Sequence, residues 1–435
     1  MKILVTGLCT LHWGRLEYGN IGNYYIIEPF FRELHRVFPD AEIVTTFQMT
    51  DEFCEREHIK SLPMDIYYSW SEYDVDIALK EYRIAEIYEK TGHLIDTTPY
   101  LQQVMSSDMV IDISGEMWGD KANAVGKERM LVNLLKMRVA QLLKKYTILY
   151  AVSAGPFSDL ITNELARITY NGFNLVTVRE PETLNRLKSL GFNLNNTQQI
   201  PCTSYLFEEA NIESIKRILK DEKIVDCTKP TVGVIVCGFN LKLPYDKWPR
   251  DDNEYNEFAL AIEYILNELG ARVILISHSN GFDLPPNFKL KPGRDYDVIK
   301  QLQDVIAKRQ NVKDMNDVIC INKAYIPSET KAIIGQLDML VTGRVHASVA
   351  SVTQYVPTVF ITYEKDEDTG KTLGFASISG LQDYVSPPYA ENMIVKIEDC
   401  YRNRELIREN LKKCIPLIRE KAKYGIDYLK VITKQ

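Results

Sequence analysis

The chain has 435 residues, more than one compact core accommodates, so two domains are expected. Hydrophobic residues at 45% and charged residues at 26% place it among ordinary globular proteins and exclude disordered and fibrous classes. With 52 basic against 59 acidic residues the net charge is -7, which argues against a nucleic acid as main partner.

The opening "MKILVTGLCT" reads as a first strand and not a signal peptide, because its apolar run is short and ends in His12, Trp13, Gly14 and Arg15. No stretch approaches the roughly 18 apolar residues of a membrane span, and the expected location is cytoplasmic, with a peripheral position at the inner membrane face as the alternative. The 8 cysteines are dispersed, contain no CxxC and are read as reduced core residues, with no metal site expected.

Short β-branched runs then alternate with helical patterns, the signature of a parallel α/β sheet. In the first half the predicted strands cover 2–8, 41–47, 108–114, 146–154 and 174–180. Residues 50–107 are less regular and read as an insertion with helical pieces; its "DIYYSW" is rich in aromatics that either stack on a sugar or fill a core. A polar, charged segment at 211–228 reads as the connection. A second series of strands follows at 231–238, 271–279, 317–325, 338–342 and 357–363. The expected domains are therefore 1–210 and 229–395, with a helical segment at 396–435 carrying Pro416 as a kink. The fold class is α/β, two Rossmann-like doubly wound domains facing a cleft. Function is then sought in the loops after the strands.

Those loops hold a distinctive set of residues. Gly19, Asn20, Gly22 and Asn23 precede a helix, where glycines let a backbone approach a ligand and free N–H groups meet an anion; a capped tight turn is the alternative. "SGEMWGD" offers Glu116 and Asp120 as proton donor or base, or as solvated carboxylates, and "SAGPF" offers Ser153 and Gly155. Arg179 ends the fifth strand, placed to grip a carboxylate or phosphate, or to form a surface ion pair. His278 lies past a later strand. Gly343, Arg344 and His346 lie where the strand at 338–342 becomes a helix of small residues, so an anion there meets helix N–H groups, a guanidinium and an imidazole together. Lys365 follows the next strand.

The series "GNIGN", "DMVIDISGE", "SAGP", "VTVREPETLNRLKSLG" and above all "LDMLVTGRVHASVASVTQYVPTVFITYEKD" resembles the polysaccharide pyruvyl transferase family. The resemblance implies two Rossmann-like domains similar to the GT-B glycosyltransferases. It implies transfer of the enolpyruvyl carbons of phosphoenolpyruvate onto two hydroxyls of one sugar, giving a pyruvate ketal and phosphate. Arg179, Arg344, His346 and Lys365 would then bind the donor, with no further cofactor, and a lipid-linked or soluble glycan would be the acceptor. Asn23 and Cys202 stand where the family often has acidic residues.

Donor chemistry fits the same residues, since a carboxylate and a phosphate on adjacent carbons need several converging cations. Ketal formation also needs a proton for the methylene carbon and a base for the hydroxyl, for which His346, Glu116 and Asp120 are candidates. The competing readings are a nucleotide-sugar glycosyltransferase, with Glu364, Asp366 or Glu367 on a ribose, and a non-catalytic glycan-binding protein. A flavin-like redox role finds no GxGxxG after the first strand.

Overall fold

The computed structural model describes residues 1–8, 12–125, 128–224, 228–244, 247–363 and 370–432. By contacts the chain divides into two compact units. Unit 1 comprises Met1–Leu16, Phe30–Cys202 and Lys421–Gln435, and unit 2 comprises Glu17–Pro29 and Thr203–Glu420.

Unit 1 is built on β1 (Lys2–Thr6), β2 (Glu42–Thr45), β3 (Ile59–Ser61), β4 (Met109–Asp112), β5 (Tyr146–Val152), β6 (Leu175–Val178) and β7 (Thr197–Gln199). They form one seven-stranded sheet in the order β3-β2-β1-β4-β5-β6-β7, with every pair parallel. Near-continuous apolar runs such as Ile3, Leu4 and Val5 suit strands covered on both faces, and all three are fully buried. The chain moves outward from β1 to β3 and returns on the other side of β1, so the direction of winding reverses between β1 and β4.

The region 50–107, read as an irregular insertion with helical pieces, holds helices Asp51–Glu57, Asp74–Thr91 and Pro99–Ser106 and one strand. Ile59–Ser61 pairs in parallel with β2, a strand that three residues of weak pattern did not announce. Helix Asp74–Thr91 packs on helix Arg129–Leu142 through a buried Lys136–Glu81 ion pair at 2.7 Å, beside the ring of Tyr100. Tyr67 and Tyr68 are each 1% exposed and belong to this core, so that part of the aromatic run fills the interior.

Unit 2 carries β8 (Thr231–Ile235), β9 (Arg272–Leu275), β10 (Asn280–Asp283), β11 (Lys289–Pro292), β12 (Val318–Cys320), β13 (Met339–Thr342), β14 (Thr358–Ile361) and β15 (Val385–Ser386). Six of these form a parallel sheet in the order β12-β9-β8-β13-β14-β15, while β10 and β11 make a separate antiparallel hairpin. The winding reverses once more, here between β8 and β13. The described part of 211–228 lies in unit 2 and includes helix Ile212–Asp221. At the C-terminus helix Ala390–Arg402 precedes helix Arg404–Ile432, which continues through Pro416 as one assigned helix.

At the unit 1 reversal, Asp112 ends β4 and is completely buried. Its carboxylate takes hydrogen bonds from Ser114 Oγ and from Asn133 Nδ2, the latter at 2.9 Å, and Ser114 Oγ accepts the Leu8 amide at 2.9 Å. Burial outweighs these bonds and pushes the Asp112 carboxyl up to about 6. A raised carboxyl means that the folded chain holds a proton the unfolded chain has released, so this group's contribution to stability falls as pH rises from about 4 to about 6. Asp112→Asn should remove that slope. In denaturant titrations from pH 4 to pH 7, the stability difference between variant and wild type should move in the variant's favour by about 1.4 kcal/mol per pH unit across the window. A difference flat with pH would contradict the assignment.

Candidate functional site

In a doubly wound sheet the loops flanking the winding reversal diverge and leave room beyond the strand ends, so the unit 2 candidate lies after β8 and β13. The β8 exit is tied down by Asn240. Its Oδ1 accepts the Cys237 amide at 3.0 Å and its Nδ2 donates to the Thr362 carbonyl at 3.1 Å. This side chain lies against Gly343, where an added Cβ would fall 2.0 Å from Asn240 Oδ1. Gly343 is thus required by close packing, and its position lets the β13 exit turn immediately into helix Val345–Val352.

Arg344 is the residue before that helix, its amide donating to Thr342 Oγ1 at 3.0 Å. Its side chain is only 11% exposed and meets Asp295, itself 1% exposed, in a fork: Nε to Oδ2 at 3.0 Å and Nη2 to Oδ1 at 2.5 Å. Burial alone would lower the guanidinium's affinity for its proton, but Asp295 overrides this and raises it, so Arg344 is charged at every working pH. The ring of Phe239 lies 5.9 Å from the Arg344 guanidinium and 5.8 Å from that of Arg294. His278 is 2% exposed, and burial followed by the Arg344 charge brings its imidazole down to about 3. It is therefore neutral near pH 7. Its Nε2 makes no hydrogen bond among the described residues.

His346 stands in the first turn of the same helix, its ring edge-on to Phe375 at 5.7 Å. Gly22 also lies against it, a Cβ there falling 2.8 Å from His346 Cβ and 3.0 Å from Nδ1. Gly22 and Asn23 lie inside helix Ile21–Val37, one residue beyond the isolated bridge between Asn20 and Ser279. Gly19 closes a turn of π-helix at Arg15–Gly19. The missing side chain of Gly22 thus makes space for His346, a role that the spacing of "GNIGN" did not disclose.

Unit 1 gathers the other expected residues around its own strand ends. Arg179 is 2% exposed and donates from Nε to Ser153 Oγ at 2.7 Å, and its Nη1 would lie 3.5 Å from a Cβ at Gly115. Gly155, at φ +83°, has its amide bonded to the Trp118 carbonyl at 2.9 Å. Asp120 accepts the Ser158 amide at 2.6 Å, so it ties its own loop to the β5 exit. Glu116 is half-buried on the short turn Gly115–Met117. Glu180 caps helix Pro181–Ser189 through the Thr183 amide at 2.9 Å and is fully buried, which raises its carboxyl above the usual range.

Within unit 2 the structure brings together Gly22, Gly343, Arg344 and His346, with His278 close enough to feel Arg344. Ser153, Arg179 and Gly115 come together in unit 1. Lys365, with Glu364, Asp366 and Glu367, lies outside the described residues. Among the described residues no group of three or more His, Cys, Asp or Glu is arranged to hold a metal ion. No described helix is long and apolar enough to cross a membrane. Sequence reasoning missed Asp295, Arg294 and Asn240. The available signal was "GRDYD" at 293–297, two aspartates in the first turn of helix Arg294–Arg309, which reads equally well as ordinary helix-terminal charge.

Because Asn240 is bonded at both ends, it cannot swing away from a new methyl group. Gly343→Ala should destabilise the protein by about 2–3 kcal/mol, a fall of roughly 5–10 °C in Tm. Gly92→Ala, at φ +72° with nothing within 4 Å of its Cβ, should cost about 1 kcal/mol through backbone strain alone. Equal losses in the two variants would show that the Asn240 contact is soft.

Comparison with known proteins places this geometry. The fold is shared with solved structures at low sequence identity. The UDP-bound Alr3699/HepE of Anabaena matches with a TM-score of 0.57 and 12% identity, over 100% of this chain and 99% of that one. UDP-GlcNAc 2-epimerase of Neisseria meningitidis matches with a TM-score of 0.56 and 11% identity, over 99% of this chain and 100% of that one. Together with the two parallel sheets, these likenesses establish the GT-B-like architecture and nothing finer. Among curated proteins, the amylovoran biosynthesis protein AmsJ of Erwinia amylovora is 21% identical, with 95% of each chain covered. A model of the polysaccharide pyruvyl transferase family matches residues 20–365, a span that begins at the Asn20 bridge and takes in Gly22, Arg179, Asp295 and the Gly343–His346 turn; the chain belongs to that family.

Proposed function

We propose that this transferase moves the enolpyruvyl group of phosphoenolpyruvate onto two hydroxyls of one sugar in a cell-surface or capsular polysaccharide precursor. The observation that carries the reading, beside family membership, is the buried Arg344 held at the strand-to-helix turn next to His346. A small dianionic donor with adjacent carboxylate and phosphate suits a fixed guanidinium and the first N–H groups of a helix, which have no partner within the helix itself.

The chemistry balances without a metal or redox cofactor. One sugar hydroxyl adds to C2 of the donor while C3 takes up a proton and becomes a methyl group. The second hydroxyl then adds to C2 as the C2–O bond to phosphate breaks. Of the two hydroxyl protons, one balances that taken up by C3 and the other leaves with phosphate. In this reading Arg344 and the helix N-terminus hold the donor's anionic groups. His346 stabilises the leaving phosphate or delivers the proton. In unit 1, Arg179 is proposed to bind anionic substrate groups with Gly155 and Ser153 shaping the loop, and Glu116 and Asp120, the latter accepting the Ser158 amide, are the candidate carboxylates for proton transfer. Lys365 remains a proposed donor ligand. The acceptor, such as a lipid-linked glycan, is proposed on family grounds, as is action at the cytoplasmic face of the membrane.

The direct test is phosphate release from phosphoenolpyruvate by the full chain over a panel of soluble and lipid-linked glycans, with nucleotide sugars as the control donors. Release should require both phosphoenolpyruvate and a glycan. Transfer from a nucleotide sugar, with phosphoenolpyruvate inert, would sink the proposal. Arg344→Ala should lower kcat/KM for phosphoenolpyruvate by about 10²–10³, the usual effect of losing one charged transition-state contact. Gly22→Ala, which touches no proposed substrate atom, should lower turnover about tenfold or more by displacing the His346 ring, since small misplacements of a catalytic group are costly. Full activity in Gly22→Ala would show that His346 placement does not matter.

A further inference from the structure

We infer that Asp295 is a positioning residue for Arg344, holding its guanidinium so that one particular edge faces the donor. The inference rests on the donor reading above. The two bonds to Asp295 consume the Nε–H and one Nη2–H of Arg344. What remains is the end-on edge made by Nη1 and the outer hydrogen of Nη2, a fork that grips two oxygens of one carboxylate or phosphate. A free arginine at a helix start samples many rotamers; one clamped on its side edge presents a single geometry.

Asp295 is itself locked. Its amide donates to Ser279 Oγ at 3.1 Å. The preceding Gly293 lies so close to Ser279 and Asn280 that a Cβ there would fall 2.6 Å from their backbone atoms. Ser279 forms the isolated bridge with Asn20, and Asn280 donates to the Tyr325 carbonyl at 2.8 Å. A continuous chain of fixed contacts thus runs from the start of the first helix through Ser279 and Asp295 to the guanidinium. Neutral His278, packed nearby and edge-on to Tyr25 at 5.5 Å, adds bulk without a competing charge.

Positioning differs from mere charge compensation in what two substitutions do. Asp295→Asn keeps the size but turns an N–H₂ group toward the guanidinium, and Asp295→Glu keeps the charge but pushes the guanidinium away by one methylene. If Asp295 positions Arg344, both should raise KM for phosphoenolpyruvate and lower kcat, with kcat/KM down at least 30-fold. Adding Arg344→Lys to Asp295→Asn should then cost less than about threefold more than the worse single change, because the two residues act as a unit. If Asp295 only balances charge, Asp295→Glu retains wild-type activity and Asp295→Asn binds phosphoenolpyruvate more tightly; either result overturns the inference. A second readout needs no substrate. In ligand-free wild type, the Arg344 Nε–H should give a slowly exchanging ¹⁵N-correlated resonance, identified by its absence in Arg344→Lys. Asp295→Glu should shift that resonance and speed its exchange; an unchanged signal would refute the clamp even if Asp295→Asn fails to fold. Should wild type neither release phosphate nor gain Tm with phosphoenolpyruvate, the donor reading falls, and the Arg344 resonance still decides the clamp.

Discussion

A guanidinium buried at the end of a central strand is the constraint around which unit 2 is arranged. Taking such a charge out of water costs several kcal/mol unless an opposite charge and well-aimed hydrogen bonds replace the solvent. Asp295 supplies both, which requires the helix beginning at Arg294 to start at a fixed point, which in turn requires Gly293 to pass against Ser279 and Asn280. Gly343 must let Asn240 lie against the turn, and Gly22 must make space for His346. Three glycines in separate parts of the sequence therefore serve one packing problem, and each does so by lacking a Cβ at a close approach.

Much of the architecture was legible because parallel strands buried on both faces must be apolar throughout. The runs at 2–8, 108–114, 146–154, 231–238 and 338–342 all contain central strands, observed one to three residues shorter at their ends. The pieces that escaped are β3, β7, β15 and the β10–β11 hairpin. "IKS", "TQQ" and "VS" carry no readable alternation, and they are strands only because a neighbour's unpaired edge captures them. The site was legible to the same degree and for a related reason. Arg344 and His346 stand out because a cation and an imidazole at a strand-to-helix turn have few structural reasons to be there. Asp295, 49 residues earlier, is one acid among many until the fold brings it to Arg344.

The two units repeat one sheet order yet resolve the space at the winding reversal by opposite electrostatic means. In unit 2 the reversal holds a permanent ion pair, and the neighbouring histidine is kept neutral. In unit 1 the reversal holds Asp112, whose carboxyl is hydrogen-bonded by the neutral side chains of Ser114 and Asn133. Its burial favours the protonated acid, and its hydrogen bonds serve to join the β1 and β4 exits. The first arrangement leaves donors on an arginine pointing away from the protein's own acid. The second spends its polar atoms internally.

That contrast bears on why Arg179 and Arg344, both arginines past strand ends, are not equivalent. Arg179 donates its Nε to a neutral hydroxyl, Ser153 Oγ, and its charge is felt by the neighbouring Glu180 carboxyl. Arg344 is matched by a carboxylate at the same edge, so its pair is close to neutral and its use lies in direction. A clamped arginine loses attraction at long range and gains it at contact, where the fork either fits two oxygens or does not. On the donor reading proposed above, discrimination between a small enolpyruvyl donor and a bulkier anion of equal charge depends on where the Asp295 carboxylate sits, and the residues that set it are Gly293 and Ser279, neither of which has charge of its own.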